Sequence, residues 1–257
     1  MTAETLAPAT RDAAAELLLT LADDEFVIGF WDSEWTGIAP MLEEDVAMSS
    51  ISQDEIGHAR AWYELLANLT DDDADRLAFG RAADEYRHAA FLNHARTDWA
   101  FTVARRYLYE QADAVRLEAL VRSSYVPIAE LAAKMRREET YHLMHFDVWL
   151  RRLAEAGEDA RARLLSAVER LWPDAQSIFQ PLVGEEALLA AGILPAPLAE
   201  LRGTWQERVR AGLAAVGLPA LAEVAPSDDG RTRRTDDFAW LHGQFTMVAR
   251  SEVGATW

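Results

Sequence analysis

Two short triplets carry the residues most capable of chemistry in this chain: Glu55-Ile56-Gly57-His58 and Glu139-Thr140-Tyr141-His142. A carboxylate and an imidazole three residues apart on a helix share one face and can grip a single metal ion. One such triplet is weak evidence, because glutamate is common and most glutamates are solvated surface charges. A histidine on a helix is more often a core residue bonded to a backbone carbonyl than a ligand. The pair gains weight from where the helical breaks fall.

Gly37 and Pro40 interrupt the first helical stretch, and Ser123-Ser124-Tyr125-Val126-Pro127 interrupts the second. In an antiparallel helix pair, residues at equal depth are symmetric about the turn. Reflecting Glu55 through Pro40 lands on Glu25. Reflecting Glu139 and His142 through Tyr125 lands near Glu110. At about 1.5 Å rise per residue, each arm between ligand and turn is about 20 Å long. Glu25, Glu55, His58, Glu110, Glu139 and His142 can therefore meet at one level of a four-helix bundle. One carboxylate from each of two helices, plus Glu-x-x-His from each of two others, is the ligand set of a ferritin-like dinuclear site.

The settings of the lone glutamates agree. Glu25 is followed by Phe26-Val27-Ile28 and lies in register with an apolar stripe, and Glu110 follows Tyr107-Leu108-Tyr109. Asp54 and Glu138 immediately precede the two triplets. Each can accept the free imidazole N–H of the histidine on the opposite hairpin, fixing its tautomer. Carboxylate and imidazole without thiolate suit two iron ions, or manganese, with positions open to O₂.

The elements that must position these residues follow from apolar periodicity. Helices are expected over about 10–34, from after Pro40 to about Leu69, over about 98–122 and over about 127–156. A connector from about Asp71 to Thr97 is too long for a tight loop and suits the long crossover of a ferritin-like bundle. A fifth helix follows Gly157 and runs to Trp172-Pro173. Further helices are expected near 198–216 and 236–250, with Pro226–Arg231 as an exposed loop. The expected fold is thus all-α: one ferritin-like domain over 1–257, with its core bundle at about 10–156 and a C-terminal helical extension over about 157–257. Trp31, Trp62, Tyr63, Tyr107, Tyr109, Tyr141 and Trp149 fall on helical segments and are expected to pack the core. The run Arg231-Thr232-Arg233-Arg234 reads as a solvated loop, or else as a phosphate or partner contact.

Composition narrows the function classes. Of 257 residues, 50% are hydrophobic, there is no cysteine, and the formal net charge is -18. The first figure is ample for a sizeable core. The second excludes disulfides, iron–sulfur clusters and thiol chemistry. The third argues against nucleic acid as a partner. Met1 to Asp12 lacks the basic-then-apolar pattern of a signal peptide, and no apolar run reaches membrane-spanning length, so a cytoplasmic protein away from membranes is expected.

Several stretches resemble the PaaC-type subunits of bacterial phenylacetyl-CoA oxygenase (1,2-epoxidase) complexes. They are Glu34-Trp35-Thr36-Gly37-Ile38-Ala39-Pro40 leading into Leu42-Glu43-Glu44-Asp45, then Asp54 to Arg60, Leu77-Ala78-Phe79 and Ala104-Arg105-Arg106-Tyr107. Further on come Tyr141-His142-Leu143, Trp149 to Leu153 and the ending Gly254-Ala255-Thr256-Trp257. The resemblance spans nearly the whole chain. It implies a complex that inserts one oxygen atom from O₂ into the aromatic ring of phenylacetyl-CoA. In that family the di-iron site belongs to the paralogous PaaA protein, PaaC is its structural partner, and a flavin and iron–sulfur reductase supplies electrons. Some PaaC-type members have lost metal ligands, whereas this chain keeps all six candidates.

Three readings follow. The first is an accessory subunit of a phenylacetyl-CoA monooxygenase, not catalytic when isolated, assembled with a PaaA-like partner and other subunits and served indirectly by the reductase. The second is a di-iron oxygenase subunit that works in its own right. The third is a ferritin-like iron-binding protein.

Overall fold

The computed structural model describes residues 6–251, and every regular element among them is helical. The tail Gly254-Ala255-Thr256-Trp257 lies outside the described residues. The chain divides into two compact units: Arg96–Gly230 with residues 6–14, and Ala15–Ala95 with residues 231–251.

Within the second unit run α1 (Pro8–Ser33, from Ala15 onward), α2 (Leu42–Thr70) and the short α3 (Ala74–Phe79). The break between α1 and α2 forms where expected. Gly37 adopts a left-handed conformation (φ 84°), which glycine adopts without a Cβ penalty. Its N–H donates to the Asp45 carboxylate at 2.9 Å, tying the turn to the first turn of α2. At the other end, α2 stops at Asp71, held left-handed, and Asp73 caps α3 by accepting from the Arg76 N–H at 2.8 Å. That side-chain acceptor satisfies one of the orphan N–H groups of a helix start.

From Thr20 to Gly29 every residue of α1 is buried, polar ones included. A helix buried all round has no solvent face, so its periodicity is blurred. Phe26 packs edge-on against Tyr63, Phe79 and Phe245. The connector after α2 is ordered by α3 and two 3-10 turns, Ala83–Glu85 and Ala90–Asn93. It is pinned where the Trp31 indole donates to the Leu92 carbonyl at 2.8 Å. The terminal helices α9 (Asp236–Phe245) and α10 (Met247–Ser251) complete this unit.

The first unit is built around α4 (Trp99–Leu120), which packs along α5 (Val126–Glu155), α6 (Glu158–Ala175) and, after the short α7 (Glu185–Ala190), α8 (Leu198–Ala215). Asp98 caps α4 by accepting from the Phe101 N–H at 2.9 Å. The α4–α5 turn is clamped from outside, since the Ser124 N–H donates to Gly192 and the Ser123 hydroxyl to Ile193. Trp205 of α8 stacks on Trp172 and donates its indole N–H to the Leu108 carbonyl of α4 at 3.0 Å.

The all-α class and the long helices therefore match the sequence reading to within a few residues at each end. Two expectations fail. Tyr141 is 73% exposed rather than core, because it faces outward on α5 between the inward Glu139 and His142. In the Arg231–Arg234 run, expected as a solvated loop, Arg231 is buried and both Arg231 and Arg234 bond internally, while Thr232 is exposed. No helix among the described residues is long and apolar enough to cross a membrane.

Candidate metal centre

Each unit assembles one half of the expected ligand set. In the second unit, Glu25 on α1 meets Glu55 and His58 on α2, with one ligand atom from each lying within 4.8 Å of the others. In the first unit, Glu110 on α4 meets Glu139 and His142 on α5 within the same limit. All six side chains are at most 5% exposed. Each triad offers two carboxylates and one imidazole.

The α1–α2 triad depends on a close approach of two backbones. Gly29 lies one turn after Glu25, and a Cβ added there would stand 2.9 Å from Ile56 Cγ1 and 3.0 Å from Glu55 Cβ. Only the missing side chain lets α1 sit this near Glu55. Sequence reading did not single out Gly29; its register with Glu25, at i+4, was the available signal.

Electrostatics around this triad come from residues far along the chain. Asp23 and Asp24, just before Glu25, are buried. Asp23 is ion-paired with Arg81 and accepts from the Tyr63 hydroxyl at 2.5 Å and from the Arg87 N–H. Asp24 accepts from both Arg231 terminal nitrogens, at 2.9 and 3.1 Å, and from the Ala89 N–H at 2.8 Å. Burial acts to lower the Arg81 pKa, but the charge of Asp23, the neighbouring Tyr63 and the hydrogen bond to Asp23 together outweigh it and hold that guanidinium more firmly protonated than usual. Burial, then the Asp23 charge, pushes the Tyr63 hydroxyl well above its ordinary range. Unpaired buried carboxylates are strongly destabilising, so these arginines are part of what lets α1 carry three consecutive acids into the interior. Arg231 itself is thus committed to an internal pair.

The α4–α5 triad has its own internal partners. His142 Nδ1 lies 3.2 Å from Glu139 Oε1. Glu110 forms an ion pair with Arg106 one turn earlier on α4, and both are buried. The Arg106 guanidinium lies 5.1 Å from the Phe146 ring centre and 5.8 Å from that of Tyr109. Arg106 was passed over in the sequence, although a basic residue at i−4 of a candidate ligand is a readable signal. Of the two acids preceding the triplets, Asp54 is half-buried and Glu138 exposed.

The donor set tests which ions suit these groups. Carboxylate oxygen and imidazole nitrogen, with no thiolate anywhere in the chain, favour iron or manganese over metals that prefer sulfur. Two of the other histidines are bonded elsewhere. His88 shares a 2.9 Å hydrogen bond with Asn93, and His242 Nε2 lies 2.9 Å from the Arg81 carbonyl.

Comparison with known proteins gives a consistent result. The family model described as "Phenylacetic acid catabolic protein" matches residues 1–257. The chain is similar to the C component of the 1,2-phenylacetyl-CoA epoxidase of Escherichia coli (strain K12). The two are 29% identical over 241 residues, covering 93% of this chain and 97% of that protein. It is also similar to the A component of the same epoxidase, 28% identical over 163 residues, covering 62% of this chain and 52% of that protein.

Proposed function

The chain belongs to the phenylacetic acid catabolic protein family, and on that premise we propose that it is an accessory subunit of a phenylacetyl-CoA monooxygenase, the ring 1,2-epoxidase. The observation that carries this reading is the difference in coverage. The match to the C component runs over 97% of that relative, whereas the match to the A component stops at 52% of it. The partners in this reading are a protein resembling the A component, the other subunits of the complex and, indirectly, a reductase, all in the cytoplasm.

We further propose that the chain is a single ferritin-like domain and that its two triads hold two iron or manganese ions. Glu25, Glu55 and His58 would hold one ion, and Glu110, Glu139 and His142 the other. Asp54 and Glu138 would accept the outer imidazole N–H of the opposite histidine, setting its tautomer. Ions so held would supply a redox centre for O₂ chemistry. The protein's part is to orient four carboxylates and two imidazoles in a buried setting.

Charge supports the accessory role. With a net charge of -18 and Lys134 as the sole lysine, the chain is poorly suited to capture a polyanionic CoA ester unaided. Several arginines are committed to internal pairs, including Arg81, Arg106, Arg116 and Arg231. Substrate placement and timed electron delivery, which an oxygenase needs beyond its ligands, then fall to the other subunits. The six buried ligands favour a second reading, in which this chain is itself an oxygenase subunit.

The experiment is to reconstitute the complex with Glu55→Ala and His142→Ala together in this chain. Retained turnover with retained assembly supports the accessory role. Lost turnover with intact assembly, and an intact metal site in the partner, makes this chain a working redox centre instead.

A further inference from the structure

We infer that Arg106 is a built-in counter-ion for Glu110 that competes with metal for this carboxylate, and so sets the metal affinity of the α4–α5 triad. This rests on reading the triads as a metal site. Arg106 and Glu110 are one helical turn apart on α4, form an ion pair, and are 0% and 1% exposed. Guanidinium does not lose its proton in proteins, so Arg106 is charged at any working pH. The guanidinium is also held in place, near the ring faces of Phe146 and Tyr109. Moving it away from Glu110 would strand a positive charge in a buried setting, which is strongly unfavourable.

A dication bound by Glu110, Glu139 and His142 would have to share the Glu110 oxygens with this guanidinium. A carboxylate has about four lone-pair directions, so sharing is geometrically open. The two positive charges would nevertheless repel across one carboxylate in a poorly solvated interior. Without metal, the same pair neutralises Glu110, and Glu139 has the imidazole of His142 at 3.2 Å. One of the triad's two carboxylates thereby has a fixed counter-charge without metal.

Removing the charge while keeping the volume separates this role from simple packing. Arg106→Met retains a long apolar stem beside Phe146 and Tyr109. Arg106→Gln, neutral but able to donate to Glu110, makes the same comparison should the methionine variant fail to fold. Arg106→Lys keeps the charge. Full-length proteins are prepared metal-free, checked for helix content by circular dichroism, and titrated with Co(II) by absorbance and Mn(II) by electron paramagnetic resonance. The expected result is a dissociation constant at least about tenfold lower for Arg106→Met than for wild type, the scale on which neighbours of ligands act. Arg106→Lys should stay near wild type. The metal-free methionine variant should also melt earlier than wild type and recover with Co(II). Structural damage alone weakens binding, so tightening is diagnostic. Equal affinities in folded wild type and neutral variants would overturn the competition while leaving the metal site standing. Binding by neither would overturn the metal site itself.

Discussion

Arg231 donates two hydrogen bonds to the carboxylate of Asp24, 207 positions earlier, one residue before the candidate ligand Glu25. The same guanidinium also donates to the Arg87 carbonyl at 2.8 Å, so one side chain joins the segment ahead of α9, the connector after α3 and the middle of α1. Arg231→Leu would leave Asp24 buried without this partner. A loss of about 3–5 kcal/mol is expected from chemical denaturation. Asp24→Asn combined with Arg231→Leu should recover part of it, because the stranded charge is removed. A single variant as stable as wild type would show that the pair contributes nothing to holding α1.

Gly29 is expected to be intolerant of even one methyl group. Gly29→Ala places a carbon 2.9 Å from Ile56 and 3.0 Å from Glu55, so α1 and α2 must separate. Overpacking of this kind costs about 1–3 kcal/mol. The functional signature is a weaker metal affinity, since Glu25 and Glu55 lie on the two separating helices. Isothermal titration with Mn(II) beside a thermal melt would read both effects. The same substitution at Gly57, where an added Cβ meets nothing within 4 Å, is the control: it should leave metal affinity unchanged and, through helix propensity, raise the melting temperature slightly.

Metal content is the most direct measurement. Protein made in iron-supplemented medium should carry up to two ions by elemental analysis, and chelation should lower its melting temperature. At free metal one hundred times the dissociation constant, the stabilisation is about 2.7 kcal/mol. Glu55→Ala with His142→Ala removes one ligand from each triad and should abolish that shift. Tyr141→Ala, at an exposed position between two ligands, should preserve it.

The pH dependence of metal-free stability should report His88. This imidazole is buried, and desolvation followed by the charge of Arg234 holds its pKa well below the ordinary 6.5. It is therefore neutral when folded but gains a proton more readily when unfolded. Its contribution is fully present above about pH 6.5 and is lost as pH falls through the depressed folded value. Wild type should lose stability on acidification below about 6.5, and His88→Gln should flatten that slope. Burial lowers His242 in the same direction, so some slope should remain. A variant profile superimposable on wild type would rule His88 out.

The six candidate ligands and the four long helices bearing them could be named from the sequence because their signals are local. An i,i+3 carboxylate–imidazole pair places both groups on one helical face whatever surrounds it. Gly37, Pro40 and the Ser123–Pro127 run end helices by backbone chemistry alone. The ion pair of Arg106 with Glu110 was equally local and could have been read from its spacing. Other features needed three dimensions. Tyr141 sits on the same helix as its buried neighbours, and only its angular position on α5 leaves it in solvent. The neutralisation of Asp23 by Arg81 and of Asp24 by Arg231 joins residues 58 and 207 positions apart. No periodicity encodes such pairings, because any arginine in an acidic chain has many carboxylates to choose from. Burial chooses among them: water stabilises exposed charges wherever they lie, whereas an interior carboxylate is tolerated only where the folded chain brings it a cation.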